Sequence, residues 1–228
     1  MESFLYVIEI LAVLVFAHSG VVAARRSGFD YVGVLTVAVV SAFGGGTLRD
    51  VLLNRFPLYW IENWEFLLWI FGFTIVEIVL LRLNEDLSNR KMMRLIDALG
   101  LGLFCASGVG IALERDVPLV PAALIGVITG TFGGLLRDIL CNRTPRIFDA
   151  EEPIYATCAF AGAWSYILLH WLGFPPVFAL TVCIAVTFLL RVAAIVFDVR
   201  LALRRGQPNT TESIETEPPS TPSTGNET

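Results

Sequence analysis

The stretch SAFGGGTLRDVLLNRFP, from Ser41 to Pro57, returns 88 positions later as TGTFGGLLRDILCNRTP, from Thr129 to Pro145. Gly45, Gly46, Leu48, Arg49, Asp50, Leu52, Asn54, Arg55 and Pro57 recur as Gly133, Gly134, Leu136, Arg137, Asp138, Leu140, Asn142, Arg143 and Pro145. The same register extends backwards without a gap, pairing Ile8 with Ile96, Glu9 with Asp97, Leu11 with Leu99, Phe16 with Phe104, Ser19 with Ser107 and Gly20 with Gly108. Chance does not sustain a match over so many positions. The chain is built from two similar units.

Both units are apolar. The 228 residues are 55% hydrophobic and only 16% charged, with a mean hydropathy of +0.70, which leaves too little charge to solvate a water-soluble domain. Near-continuous apolar stretches run from Phe4 to Ala24, Tyr31 to Leu53, Trp64 to Leu81, Leu95 to Leu113, Leu119 to Cys141, Ile154 to Leu172 and Val177 to Val199. Each is expected to cross a bilayer as a helix, the conformation that satisfies its own backbone hydrogen bonds. Glu2 stands where a cleaved signal would carry basic residues, so the first stretch is expected to be retained. The expected fold is an all-α membrane protein of seven transmembrane helices.

Its divisions are a first three-helix repeat over 1–81, a cytoplasmic linker over 82–94, a second repeat over 95–172, a seventh helix with a basic end over 173–205, and a disordered tail over 206–228. The tail is rich in Pro, Ser and Thr, too apolar-poor to offset the entropy of ordering. It also carries Glu212, Glu215, Glu217 and Glu227 without a basic residue, which accounts for most of the net charge of -5. With seven spans, Arg25, Arg26, Arg82, Arg90, Lys91, Arg94, Arg143, Arg146, Arg200, Arg204 and Arg205 fall on the side of the C-terminus. Only Arg55 and Arg115 fall on the other, so the N-terminus is expected outside and the C-terminus in the cytoplasm. Three helices per unit is an odd number, and the second unit therefore enters the membrane in the opposite sense. Inverted repeats are a common plan of transporters, with the site near the midplane in matching segments of both halves.

Gly44, Gly45 and Gly46, like Gly133 and Gly134, sit inside apolar helical stretches. Each costs helical preference about 1 kcal/mol relative to Ala, and a bend or break facing a cavity is expected there. Close helix packing is the alternative, since Ser41 with Gly45, and Gly130 with Gly134, have small-xxx-small spacing. Arg49, Asp50, Arg137 and Asp138 cost at least about 3 kcal/mol each in hydrocarbon, so they face protein or water. Neighbours on a helix diverge by about 100°, which disfavours an Arg49 to Asp50 pair. The symmetric expectation is Arg49 with Asp138 and Arg137 with Asp50, lining a pathway or clasping the two halves together. Asn54 and Asn142, one turn on, are expected to share the aspartates' face and extend a polar lining.

The remaining polar groups are less decided. Glu9 and Asp97 are either interfacial anchors or vestibule charges, His18 reads as a packing residue, and Glu77 and Arg191 either pair internally or snorkel. Cys105, Cys141, Cys158 and Cys183 lack metal-ligand spacing and read as small hydrophobes. GGGTLRD is not a phosphate-binding loop, and no HExxH or GxSxG pattern occurs, so no enzyme chemistry is expected.

At FGGGTLRD and FGGLLRD, each followed by Asn-Arg-x-Pro, the sequence resembles the prokaryotic trimeric intracellular cation (TRIC) channels over about Phe4 to Val199. The resemblance implies two inverted three-helix repeats plus a seventh helix, a homotrimer in membrane lipid, and a pore in each subunit between the kinked second and fifth helices. It implies a potassium channel, sodium being a second permeant ion, with no cofactor and no nucleic-acid partner. The kink glycines would be Gly44, Gly45, Gly46, Gly133 and Gly134, with potassium passing near Gly45, Gly133, Asp50 and Asp138. Phe132 stands where a third glycine would complete the second motif, which implies unequal kinks. The same repeated motif occurs in a bacterial family proposed to carry glycine, and a carrier of a small amino acid is the rival reading.

Overall fold

The computed structural model describes residues 2–83, 90–149 and 152–200. Over these the chain is all helical: α1 (Glu2–Arg26), α2 (Tyr31–Leu52), α3 (Tyr59–Glu62), α4 (Glu65–Leu83), α5 (Arg90–Glu114), α6 (Leu119–Leu140), α7 (Ala156–Trp171) and α8 (Pro176–Phe197). Five of them, α1, α2, α5, α6 and α8, are long and apolar enough to cross a membrane. The other two expected spans are the 19-residue α4 and the 16-residue α7, the latter short of the roughly 20 residues a full crossing takes. Two expectations need correcting: α3 was not foreseen, and α5 begins at Arg90, inside the stretch taken as linker. The tail over 206–228 lies outside the described residues.

Helix ends follow local chemistry. Asp30 caps α2, its Oδ1 accepting from the Gly33 amide at 2.8 Å. Asn54 and Asn142 follow α2 and α6 with φ of 50° and 52°, a left-handed conformation that Asn tolerates. There the amides of Arg55 and Arg143 reach back to the carbonyls of Asp50 and Asp138 at 2.7 and 2.9 Å, a Schellman closure in each repeat. Both asparagines are therefore exposed and beyond the helix end, not on a helical face shared with the aspartates as expected.

The first helix of each unit forms the centre. α1 packs on α2, α4 and α5, and α5 packs on α6, α7 and α8. Small residues make this closeness available: Ala12, Ala17, Ala23 and Ala24 on α1, and Ala98, Ala106 and Ala112 on α5, are fully buried. Phe16 and Phe104, matched by the repeat, meet with ring centroids 5.3 Å apart in the core.

The second helices, α2 and α6, pack through their glycines. Both are helical without interruption across Gly44–Gly46 and Gly133–Gly134, so the expected backbone break is absent. A Cβ on Gly45 would overlap the Thr129 carbonyl oxygen, and one on Gly133 would overlap that of Ser41, the repeat equivalent of Thr129. These glycines exist because backbone meets backbone. The propensity cost is offset by a contact that no larger residue permits. Gly45→Ala should force the helices apart and lower the melting temperature of the purified protein by roughly 3–10 °C, as overpacking does. Gly72→Ala on α4, with nothing near its Cβ, should leave it unchanged or slightly raised.

Candidate functional site

Each unit contributes one buried arginine. Arg49 closes the last turn of α2 and Arg137 that of α6, at 0% and 1% exposure. A guanidinium so placed must find acceptors within the protein, and the fold supplies three kinds.

Around Arg49, Nε donates to Asp50 Oδ1 at 2.9 Å, and Nη1 donates to Glu9 Oε1 at 2.6 Å and to Ser107 Oγ at 2.9 Å. Ser107 in turn donates to Glu9 Oε1 at 3.1 Å. Asp50 Oδ2 accepts from the Tyr59 amide at 2.9 Å, which docks α3, and the guanidinium carbon lies 5.1 Å from the Tyr59 ring centroid. Burial and the nearby Glu9 push the Tyr59 hydroxyl well above its ordinary pKa, so that ring stays neutral beside the cation.

Around Arg137 the repeat reproduces the pattern. Nε donates to Asp138 Oδ1 at 2.8 Å, and Nη1 donates to Asp97 Oδ1 at 2.8 Å and to Ser19 Oγ. Arg146 completes this cluster, its Nη1 lying 3.1 Å from Asp97 Oδ2 and its amide donating to Asp138 Oδ2 at 3.4 Å. The expected cross-pairs, Arg49 with Asp138 and Arg137 with Asp50, are not formed. Each arginine binds its own neighbour, because its long side chain folds back over the turn, and the acid of its own unit's first helix. Only the serine comes from the other unit.

These contacts also set the scale. Glu9 and Ser19 belong to different clusters and lie ten residues apart on α1, so the clusters are about 15 Å apart along the helix axis. Between them lie Val13, Phe16 and Ala17 with Leu101, Phe104 and Cys105, all buried. Each cluster opens to its own end of the molecule. A cavity of about 760 Å³ reaches Glu9 and is lined by Arg55, Glu62, Glu114 and Arg115. At the opposite end of α1 and α5, one of about 840 Å³ reaches Asp138 and is lined by Arg26, Arg94, Arg143, Arg146, Asp149 and Glu152. The first wall has more acids than arginines and the second more arginines than acids.

The residue pattern alone missed four participants. Ser19 and Ser107 were visible as a matched pair without a role, and Tyr59 and Arg146 had no repeat partner to mark them. Arg191 on α8 pairs internally, donating to Glu152 Oε1 at 2.7 Å and to the Pro153 carbonyl at 2.7 Å. Among the described residues no group of His, Cys, Asp and Glu is arranged to hold a metal ion.

A sequence profile described as "Glycine transporter" matches the chain twice, over residues 6–82 and 94–171, one match to each unit. The chain belongs to that family. Among its relatives is the UPF0126 inner membrane protein YadS of Escherichia coli, 36% identical over 86% of this chain and 94% of the relative. Proteins of known structure share the fold described above. A TRIC channel orthologue from Rhodobacter sphaeroides superposes with a TM-score of 0.80 at 32% identity, covering 86% of this chain and 98% of that one. A structure addressing conductance through TRIC cation channels superposes at 0.79 with 29% identity, over 89% of this chain and 98% of that one. The protein is thus a multi-pass integral membrane protein of the family, and the likeness to TRIC channels read from its two motifs holds.

A double-mutant cycle separates the pairing found here from the one expected. Removing Arg49 and Glu9 together should show a coupling of about 1–3 kcal/mol in thermal or denaturant unfolding, whereas Arg49 with Asp138 should add without coupling.

Proposed function

We propose that the protein is a potassium-permeable cation channel, with sodium as a second permeant ion, and that each subunit of a homotrimer has its own pathway. One observation carries the reading: two polar vestibules enter from opposite ends and stop at two matching arginine–carboxylate clusters, with only an apolar layer between. The likeness to solved TRIC channels supports it, as their titles name cation channels and trimers. In this reading seven helices cross the membrane as two inverted triplets plus α8. The arginine-rich vestibule then faces the cytoplasm with the C-terminus, and the vestibule of Glu9, Glu62 and Glu114 faces outside, concentrating cations at its mouth.

The conformation described is closed. Asp50 and Asp138 have their oxygens committed to arginine and backbone donors, and the contact at Gly45 and Gly133 leaves no room for an ion. Conduction requires α2 and α6 to shift at their glycines, so that Phe16 and Phe104 part and the carboxylates are freed to replace part of a cation's hydration shell. The glycines act in this scheme as the bending points of α2 and α6, while Arg49 and Arg137 hold the carboxylates when the pathway is shut.

Planar-bilayer recording of purified protein under a potassium chloride gradient tests this. Unitary currents reversing near the potassium equilibrium potential are expected, with open probability raised in Arg137→Ala because Asp97 and Asp138 lose their clamp. Saturable glycine uptake without unitary conductance would overturn the channel reading in favour of a carrier.

A further inference from the structure

We infer that His18 and Glu77 form a proton-binding site inside the first unit whose occupancy biases the pathway between closed and conducting arrangements; this rests on the channel reading above. His18 on α1 meets Glu77 on α4 through Nδ1 and Oε1, with the two side chains 15% and 7% exposed. Both carboxylate oxygens are buried without a hydrogen-bond partner, Oε1 having only the ion-pair contact with His18. Thr74, one turn earlier on α4, is fully buried and its hydroxyl is also without a partner. None of these three belongs to either arginine cluster. His18 and Glu77 bring an imidazole and a carboxylate together at the α1–α4 contact.

Ala106 matches His18 in the repeat, so the second unit has no imidazole at that place. The pair's place gives it a route to the pathway, since the next residue along α1, Ser19, holds Arg137. On α1 the nearest charged groups are Arg25 and Arg26 about two turns toward its end, and Glu9 more than two turns the other way. α2 offers only Tyr31 between Asp30 and Arg49, α4 carries Glu65 at its start and Arg82 near its end, α5 carries Arg90, Lys91, Arg94, Asp97, Cys105 and Glu114, and α6 brings Arg137 onto Ser19. Among the described residues neither His18 nor Glu77 has any other ion pair.

The sign follows from burial. With the imidazole protonated, the carboxylate's charge is balanced and α1 is held against α4, keeping Ser19 on Arg137. Loss of that proton leaves a single buried negative charge whose oxygens have no hydrogen-bond donor, in a medium that penalises it. Separation of the helices and entry of water relieve that penalty, which loosens the Ser19 contact and favours conduction.

Open probability of the wild-type channel should therefore rise about fivefold or more between roughly pH 5.5 and pH 8, the low end of coupling between linked sites and the range in which histidine changes charge. The double variant His18→Ala with Glu77→Ser removes both groups, retains every arginine-cluster group, and should lose that rise while still conducting. The chain has two histidines, His18 and His170. NMR of histidine labelled with nitrogen-15 gives an independent readout: Glu77→Gln should displace the pH titration of the His18 signal and leave that of His170 alone. A pH response that persists in the double variant, or a fall in open probability with rising pH, would overturn the inference. An unmoved His18 titration in Glu77→Gln would overturn it even if no current were found, whereas absence of wild-type current with a displaced titration would count against the channel reading only.

Discussion

A guanidinium inside a membrane protein must be neutralised and its donors occupied, and most of this structure can be read as the solution to that demand made twice. Arg49 and Arg137 each terminate a helix, lean on the aspartate that follows, and take a second carboxylate from the first helix of their own unit. The acids at Glu9 and Asp97 fix the heights at which α1 and α5 sit against α2 and α6. The serines then tie each arginine to the opposite unit, so the two units are held together by reciprocal hydrogen bonds rather than by exchanged ion pairs. Breaking one partner would leave an uncompensated buried charge, which is why such pairs resist piecemeal change.

Close approach is the second requirement. The clusters can be linked through Ser19 and Ser107 only if α1 and α5 pack tightly, and the buried alanines allow that. α2 and α6 touch backbone to backbone at Gly45 and Gly133, where each glycine faces the carbonyl of a residue matched by the repeat. This crossing, with Phe16 against Phe104, closes the space between two vestibules of similar volume and unlike charge. The same glycines that permit the contact have no side chain to resist sliding, so on the channel reading proposed above the seal and the bending point coincide.

Much of this was legible in the residues, and the misses have physical causes. The 88-residue offset showed the two units, the matched acids and serines, and the arginines that matter. The cross-pairing was wrong because helical geometry was applied to Cβ directions, whereas an arginine has enough torsions for its Nε to return to the adjacent side chain. The glycine break was wrong because propensity measured in water was set above packing, and lipid gives a broken backbone no alternative partner. Asn54 and Asn142 misled for a third reason: their recurrence reflects a left-handed helix end, a backbone demand that resembles a functional one in the sequence. Tyr59, Arg146 and Arg191 lie outside the repeat register, and only three dimensions bring them to the clusters.

The claim on which all else depends is that the two clusters face opposite sides of the membrane through separate vestibules. Its most direct test is one-sided thiol labelling of Arg55→Cys and Arg143→Cys with a membrane-impermeant maleimide, since the native Cys105, Cys141, Cys158 and Cys183 are buried and give little background. Labelling of position 55 only from outside intact cells and of position 143 only from the cytoplasmic face is the expected result. Labelling of both positions from the same side would contradict the inverted arrangement and the pathway built on it.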